Sequence, residues 1–408
     1  MSQQPLKKAP IKKKAALSDL KEKLGIKTKV EKGKIIGASN ADKSMEWLIM
    51  PKAYQDALKL PGIPQNFVSL VVGHSNSGKS TLINHAIVAA QRQGLIPVIF
   101  DTENNFDFTY AMDMGMEAEP IYEDVEVETV DPITGEVSTE MKNMITSYDG
   151  NFLYFNNAIL AERYGKIDYS SGKETNKGRK VAVIEDISKC INELLNAQDE
   201  GEIASGFVFI WDSIGSISCY KSYKSATNNP MWDAAALSTA FNIIVNDRIP
   251  RSRKVTSPYN NTFIAVNKVW LDSMSNPMPG APPSLSLKGG NSMFYSARLI
   301  ILCGGQLKAS VKKMTAKAKG LTYNFAIQTK LKVLKNQLPN PFTVTYEGEV
   351  TCTPHGMIGT DNEEMEMYKK EYVSDILKHL NEISKDSGET VDDATEITYD
   401  VEEEYTVE

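Results

Sequence analysis

The sequence predicts an α/β fold with a mostly parallel sheet flanked by helices and an antiparallel extension of that sheet. Three observations lead to this prediction. Apolar strands alternate with helical stretches between residues 67 and 267, as in the β-α-β units that build parallel sheets. Two strand-like segments, 324–335 and 342–348, then follow each other without a helix between them, which indicates antiparallel pairing. The composition is close to the globular average, with 41% hydrophobic and 24% charged residues.

An uneven charge distribution divides the 408 residues into a core and two charged ends. Residues 1–45 form a basic N-terminal arm, predicted to pack subunits together, whose first 34 residues hold eleven lysines against three acids. The predicted core spans 46–350 with an insertion at about 117–180, and a small C-terminal segment covers 351–385. Residues 386–408 hold ten acids and no base, and we expect them to be a disordered tail.

The cysteine pattern and the absence of long apolar runs indicate a soluble, intracellular protein. The four cysteines lie far apart and include no C-x-x-C pair, so we expect free thiols that serve as small hydrophobic side chains. No apolar run approaches the roughly 18 residues that cross a bilayer, and the N-terminus lacks the apolar centre of a secretory signal. The prediction is a cytoplasmic protein with no membrane partner.

Residues 73–80 carry the pattern G-x-x-x-x-G-K-[ST], which predicts a phosphate-binding loop between a strand and a helix. Glycines let the backbone turn tightly and direct its N–H groups at phosphate oxygens, and the helix N-terminus adds positive partial charge. Lys79 would reach the β- and γ-phosphates, and the Ser80 hydroxyl would ligate Mg²⁺. The predicted nucleotide-binding residues are Gly73, His74, Ser75, Asn76, Ser77, Gly78, Lys79, Ser80 and Thr81.

Two carboxylates end strands that should neighbour this loop. The apolar run 207–211 ends in Asp212, which would hold Mg²⁺ through water. Glu103 ends the strand after the loop's helix, at the edge where open α/β sheets bind ligands. A carboxylate there can polarise the water that attacks the γ-phosphate, although a helix-capping acid is the alternative interpretation of Glu103.

Two later segments, 216–232 and 270–290, are predicted to be loops that contact nucleic acid. They are rich in Ser, Asn, Pro and Gly, and they hold few acids. Such loops can hydrogen-bond a phosphate backbone without charge repulsion, and Lys221, Lys224 and Lys288 are the candidate contacts. Ordinary surface loops remain the alternative interpretation.

The order of these motifs resembles the RecA/RadA strand-exchange recombinases, including their bacteriophage members. The resemblance lies in LPGIPQN before the phosphate loop, DTENNFD, the strand that ends in Asp212, FIAVNK, LKGGNSMFYSARL and VLKNQLPNPF. It spans about residues 50–350 without the insertion. It implies a RecA-like P-loop ATPase core that uses ATP and Mg²⁺, and a location in the host cytoplasm if the chain is viral.

The resemblance also implies roles for single residues. Glu103 matches the family's catalytic glutamate, and Asp212 matches its Mg²⁺-coordinating aspartate. Lys335 matches a lysine that reaches the γ-phosphate of the neighbouring subunit. The residues that match the end of the second DNA loop are Gly289, Gly290 and Asn291.

Two positions depart from the family's pattern. Lys268 stands where a glutamine that relays the nucleotide state is usual, and Gln337 stands where a second trans-acting lysine is usual. Lys268 could still sense the γ-phosphate through its charge, so we count it among the candidate catalytic residues.

The function that the resemblance implies is ATP-dependent DNA recombination. The protein would form a helical filament on single-stranded DNA and exchange strands with a homologous duplex, with single-strand-binding and loader proteins as further candidate partners. One alternative is a hexameric helicase or translocase on the same core, which an arginine finger late in the core would favour over the lysines at 332 and 335. A second alternative is an accessory protein that binds ATP and DNA without catalysis.

Overall fold

A computed structural model describes residues 29–31, 34–36, 41–130, 137–227, 229–272, 284–287, 292–306 and 309–386. Most of the predicted basic arm and the acidic tail beyond residue 386 lie outside the described residues. So do four candidate DNA contacts, Lys288, Gly289, Gly290 and Asn291.

The strands of the described residues are β1 (Lys29–Glu31), β2 (Lys34–Ile36), β3 (Trp47–Ile49), β4 (Gly62–Pro64), β5 (Val68–Gly73), β6 (Ile96–Asp101), β7 (Glu119–Val130), β8 (Val137–Asp149), β9 (Leu153–Asn156), β10 (Ile167–Asp168), β11 (Lys173–Glu174), β12 (Phe207–Asp212), β13 (Thr262–Asp272), β14 (Ser284–Leu287), β15 (Leu299–Cys303), β16 (Lys312–Ala318), β17 (Leu321–Asn336), β18 (Glu347–Thr353) and β19 (Gly356–Ile358).

The helices are α1 (Lys52–Leu58), α2 (Lys79–Arg92), α3 (Phe108–Asp113), α4 (Asn157–Tyr164), α5 (Ile184–Asp199), α6 (Tyr220–Lys224), α7 (Pro230–Ala240), α8 (Ile249–Arg251), α9 (Ser292–Ser296) and α10 (Asn362–Asp386). A π-helical turn at Ile244–Arg248 leads into α8. No helix in the described part of the chain is long and apolar enough to cross a membrane.

An eleven-stranded sheet confirms the predicted fold class. Its main path runs β19-β18-β17-β15-β5-β13-β12-β6-β9, with β14 beside β13 and β16 beside β17. The six strands from β15 to β9 along this path are parallel, whereas β17, β18 and β19 pair in antiparallel fashion. The sheet is therefore mostly parallel with an antiparallel extension.

The central strand β5 has an apolar core on each side. Val71 packs into a core that α1 and α2 cover, whereas Leu70 and Val72 pack into a second core covered by α5 and α7. Both faces are buried, which explains why the core strands are continuous apolar runs without polar alternation. All four cysteines are buried, as expected of small hydrophobic side chains.

The long polar stretch 117–180 predicts an irregular insertion with one hairpin signal at 125–141, and the structure contains that hairpin together with more regular structure than expected. The strands β7 and β8 form a long two-stranded hairpin whose side chains are mostly exposed. The strand β9 then pairs in parallel with β6 and is an edge strand of the main sheet, and α4 follows it directly. The hydrophobic pattern of the sequence did not reveal β9, because this four-residue edge strand is only half-buried and lacks the long apolar run of the central strands.

The predicted strand at 342–348 is wrong in position, because the strand runs from 347 to 353. The side chain of Asn336 donates hydrogen bonds to the carbonyl oxygens of Phe342 (2.7 Å) and Val344 (2.8 Å). The Phe342 ring packs edge-on against Trp47 at 5.0 Å. Residues 342–344 are therefore held by contacts from the side chains of Asn336 and Trp47, and not by the backbone hydrogen bonds of a strand as the sequence pattern predicted.

The segment between α4 and α5, residues 165–183, is anchored by a buried ion pair, and we call it the strap. The Arg179 guanidinium donates to both carboxylate oxygens of Asp186, at 2.7 and 2.8 Å, and to the carbonyl oxygens of Tyr164 and Val181. The Tyr169 hydroxyl donates to the same carboxylate at 2.8 Å. Side-chain exposure is 5% for Arg179 and 0% for Asp186. The polar sequence of residues 168–180 predicts an exposed loop, and this prediction is wrong at Arg179.

Replacing Arg179 with leucine should lower the free energy of unfolding by about 3–5 kcal/mol, because it leaves the Asp186 charge buried without its partner. The matched control is Arg163→Leu, since Arg163 pairs with Glu193 with 56% of its side chain exposed. That control should cost less than about 1 kcal/mol. Urea denaturation followed by tryptophan fluorescence measures both losses, and equal losses would contradict the assigned role of Arg179.

Candidate nucleotide and DNA site

The tight turn of the phosphate loop depends on two glycines and on hydrogen bonds within the loop. A Cβ atom at Gly73 would come within 2.4 Å of the Cys303 carbonyl oxygen, and Gly78 precedes α2 with a φ of +89°. Both positions therefore require glycine. The Ser77 hydroxyl (2.8 Å) and the Lys79 ammonium (2.5 Å) donate to the His74 carbonyl oxygen. All nine predicted nucleotide-binding residues lie on this loop and the first turn of α2.

Glu103 lies in a cluster of polar groups at the carboxyl edge of the sheet. Its carboxylate accepts hydrogen bonds from Ser213 Oγ at 2.5 Å and from Lys268 Nζ at 3.0 Å. Burial opposes its ionisation, but the Ser213 and Lys268 bonds outweigh burial and hold the Glu103 pKa below its ordinary value. Glu103 does not cap a helix here, since Asp107 is the residue at the start of α3. The ionised carboxylate is the form that a general base requires.

Asp212 ends β12 level with Asp101 of β6. Burial, with the nearby Glu103 charge as a further cause, raises the pKa of Asp212 to about 6 despite the attraction of Lys79. A carboxylate whose negative charge is so poorly compensated fits a hard divalent cation, and Ser80 offers a second oxygen donor. Asp212 and Ser80 would hold Mg²⁺.

Lys79 and Lys268 supply the positive charges of the cluster. Lys268 is a residue of β13 and lies level with Gly73 of β5. Its ammonium group contacts the Glu103 carboxylate from this position. Burial lowers the pKa of Lys79 even though Asp212 and Glu103 favour its charged form. Anionic phosphate oxygens would stabilise the ammonium that burial disfavours.

Asp101 and Thr102 shape the turn that carries Glu103. The Asp101 carboxylate accepts the backbone N–H groups of Asn105 (3.1 Å) and Phe106 (2.9 Å) and the Tyr154 hydroxyl (2.9 Å). The Thr102 hydroxyl contacts Ser216 Oγ at 2.6 Å. These bonds fix the backbone on both sides of Glu103.

A cleft of about 540 Å³ lies beside the phosphate loop, and sequence reasoning missed the residues on its far side. It runs between α3 and the strands β17 and β18, with Asp107, Tyr110 and Phe325 in its lining. The Tyr110 hydroxyl contacts Thr81 Oγ1 at 2.7 Å and donates to the Thr353 carbonyl at 3.2 Å. An aromatic ring here can stack on a nucleobase. The sequence signal that could have pointed to Tyr110 is the short helical stretch that follows DTENNFD.

The segment 216–232 is not the continuous loop that was predicted, because it contains α6 and the start of α7. The Asp233 carboxylate accepts hydrogen bonds from the Cys219 N–H (2.8 Å) and the Ser222 hydroxyl (3.0 Å), which supports the first turn of α6. The ammonium of Lys221 lies over the Trp232 ring at 4.3 Å, and Lys224 pairs with Asp168 at 3.5 Å.

Lys335 is not brought to the phosphate loop of its own chain. It lies four residues along β17 from Leu331, which is level with Cys303 and Gly73, so about 13 Å of strand separates the two levels. Its ammonium donates to the carbonyl oxygens of Phe294 (2.7 Å) and Tyr295 (3.0 Å).

A phosphate-binding loop between a central strand and a helix, with carboxylates after β12 and β6 at the same edge of the sheet, defines a P-loop nucleotide-binding α/β protein. The prediction that these two strands neighbour the strand of the loop is wrong, because β13 lies between β5 and β12, and β6 lies beyond β12. Residues 13–152 match the family model described as the RecA N-terminal domain. Curated relatives named Protein RecA agree with this match. The N-terminal third of the chain is therefore similar to RecA proteins.

These relatives match only part of the chain. The relative from Desulforapulum autotrophicum is 36% identical over 93 residues, which are 23% of this chain and 25% of the relative. The relative from Chlorobaculum tepidum is 43% identical over 61 residues, 15% of this chain and 18% of the relative. The relative from Nitrobacter winogradskyi is 31% identical over 110 residues, 26% of this chain and 29% of the relative. The chain thus spans less than a third of the length of each, and the likeness to bacteriophage members stays a prediction.

Replacing Asp212 with asparagine should stabilise the nucleotide-free protein at pH 8. The folded state keeps the Asp212 proton up to about pH 6, whereas the unfolded chain releases it near 3.8, so stability falls as pH rises through this window. The neutral amide avoids this loss of stability, which is about 3 kcal/mol at pH 8, and the advantage of the variant should shrink toward pH 4. Denaturant titrations across this range without nucleotide or Mg²⁺ measure it. The exposed control Asp56→Asn should show no such trend.

Proposed function

We propose that this protein is an ATP-dependent DNA recombinase that assembles on single-stranded DNA and exchanges it with a homologous duplex. The observation that carries the proposal is the cluster of Lys79, Glu103, Asp212 and Lys268 at one sheet edge. The match of residues 13–152 to the RecA N-terminal domain supports the proposal that DNA is the partner of this nucleotide site. The proposal takes residues 46–350 as the catalytic core and the basic arm as a subunit-packing segment.

The residues of the cluster would divide the work of ATP hydrolysis. The loop N–H groups and Lys79 would bind the phosphates, and Asp212 and Ser80 would hold Mg²⁺, which neutralises phosphate charge when bound. Glu103 would accept a proton from the attacking water, and its ionised state at neutral pH suits that role. Lys268 lies close enough to Glu103 to respond when a γ-phosphate attracts its ammonium.

The DNA contacts and the subunit contacts complete the proposal. Lys221 and Lys224 on α6, together with Lys288, Gly289, Gly290 and Asn291 of the second predicted loop, would contact DNA. Lys335 would act on the γ-phosphate of a neighbouring subunit, which agrees with its distance from the loop of its own chain. The acidic tail would compete with DNA for basic surfaces.

Strand exchange tests the proposal directly. Purified protein should exchange strands with ATP and should release phosphate faster when single-stranded DNA is added. Glu103→Gln should lower DNA-stimulated phosphate release by about a hundredfold or more, because a general base is lost, while ATP binding persists. The control Glu123→Gln, on the exposed hairpin strand β7, should behave as the parent. Equal release by Glu103→Gln and parent would remove Glu103 from the mechanism.

The helicase alternative predicts a different assembly. Electron microscopy of the protein with single-stranded DNA and ATP should show helical filaments, whereas closed rings would contradict the recombinase proposal. The accessory-protein alternative predicts binding of ATP and DNA with no exchange and no DNA-stimulated hydrolysis.

Replacing Lys268 with glutamine should move the acid limb of the pH–rate profile for ATP hydrolysis to higher pH. The physical reason is that Lys268 is one of the groups that hold the Glu103 pKa down against burial, so its loss lets that pKa rise. Ser213→Ala should shift the limb in the same direction. Lys330→Gln is the control, since Lys330 pairs instead with the exposed Glu349. An unshifted limb in both test variants would show that Glu103 is not the titrating base.

A further inference from the structure

A groove of about 480 Å³ separates the end of the strap from the segment around α6. One wall is formed by residues 180–183 of the strap, and the other by residues 216–227 of the first predicted DNA loop. The volume falls in the range of roughly 300–1,000 Å³ that is usual for ligand sites. The groove therefore joins a segment with no assigned role to one that the proposed function places on DNA.

The side chains of the groove suit a single nucleotide. Val181 and Tyr223 line it with 49% and 44% of their surface exposed, which gives two apolar faces for a planar base. Lys180 lines it as an exposed cation, and no acidic residue does so in the part of the chain that the structure describes. Asn157 also lines it, and its buried Oδ1 atom has no hydrogen-bond partner.

Both walls are held in place by contacts that the catalytic cluster does not use. The Arg179–Asp186 ion pair fixes the strap directly before Lys180. The Glu185 carboxylate accepts the Tyr220 N–H at 2.9 Å, at the first residue of α6. Because these contacts are buried or close, the groove is built before any ligand arrives, which lowers the entropic cost of binding.

We propose that this groove binds one unstacked nucleotide of single-stranded DNA, with its base against Tyr223 and Val181 and its phosphate at Lys180. The inference rests on the proposed function and extends its DNA site from the predicted loops to the strap. The strap carries five basic residues against two acids, and residues 216–232 carry two lysines and no acid. This balance favours a polyanion over a neutral or cationic ligand.

The groove also adjoins the turn that carries Glu103. The Asn157 amide donates to the Thr102 carbonyl oxygen at 2.9 Å, and Ser216 contacts the Thr102 hydroxyl at 2.6 Å. Both Asn157 and Ser216 line the groove. A nucleotide bound there would contact Asn157 and Ser216, both of which contact Thr102, the residue before the proposed general base, and this offers a route for DNA to influence hydrolysis.

Two groove variants of the full chain, each with a matched control, test the inference. Lys180→Glu should weaken binding of a fluorescent single-stranded oligonucleotide about fivefold or more and reduce its salt dependence, and Tyr223→Ala should weaken it about fivefold or more. Lys173→Glu makes the same charge change elsewhere on the strap, and Tyr122→Ala removes a tyrosine that is 57% exposed on the hairpin strand β7. Both controls should stay within about twofold of the parent. Fluorescence anisotropy with a non-hydrolysable ATP analogue measures all five proteins.

Photocrosslinking keeps the test independent of how well the variants fold. An oligonucleotide carrying 5-iodouracil should crosslink to the parent protein at Tyr223, which mass spectrometry of the peptides identifies. If the groove variants bind like their controls and no crosslink maps to the groove, the inference is overturned while the proposed function stands. If the parent itself binds no single-stranded DNA with nucleotide present, the proposed function and the inference both fall.

Discussion

The parallel alignment of β5, β6, β12 and β13 brings distant residues to one edge of the sheet. Lys268 lies level with Gly73, and Asp212 lies level with Asp101, so the carboxyl ends of the four strands meet. Apolar cores on both faces prevent the strands from shifting to relieve the charges that gather there. The remaining features of the site, from the closed phosphate loop to the Glu103 contacts, depend on this alignment.

The charges at this edge are not balanced within the chain. Burial raises the pKa of Asp212 to about 6 and lowers that of Lys79, so the charged form of each is disfavoured. Glu103 differs, because Ser213 and Lys268 donate to it directly and keep it ionised. Active sites commonly give up stability in this way, since groups arranged for a ligand lack their partners until it binds.

The two unusual segments between α3 and α5 have opposite character. The hairpin of β7 and β8 is exposed along most of its length, and it carries five acids and no base on β7. The strap is basic and is fixed to the core by the Arg179–Asp186 pair, with Lys224 of α6 paired to Asp168. Because the strap is fixed beside the first predicted DNA loop, it is suited to a role at that loop. Among the described residues, no comparable buried ion pair anchors the outer part of the hairpin.

The sequence by itself determined the fold class, the phosphate loop and the succession of core strands along the chain, because each depends on neighbouring residues. The order of those strands within the sheet, with β13 between β5 and β12, came from the structure. A glycine-rich turn, a helical repeat or an apolar run can be seen within a few positions. Glu103 and Asp212 could be proposed for the same reason, since each follows such a run. Only the tertiary structure decided that Lys268 meets Glu103, that Tyr110 contacts Thr81 beside the phosphate loop, and that Arg179 is buried. These facts depend on partners far away in the chain, and local patterns carry no information about which distant groups the packed sheet will bring together.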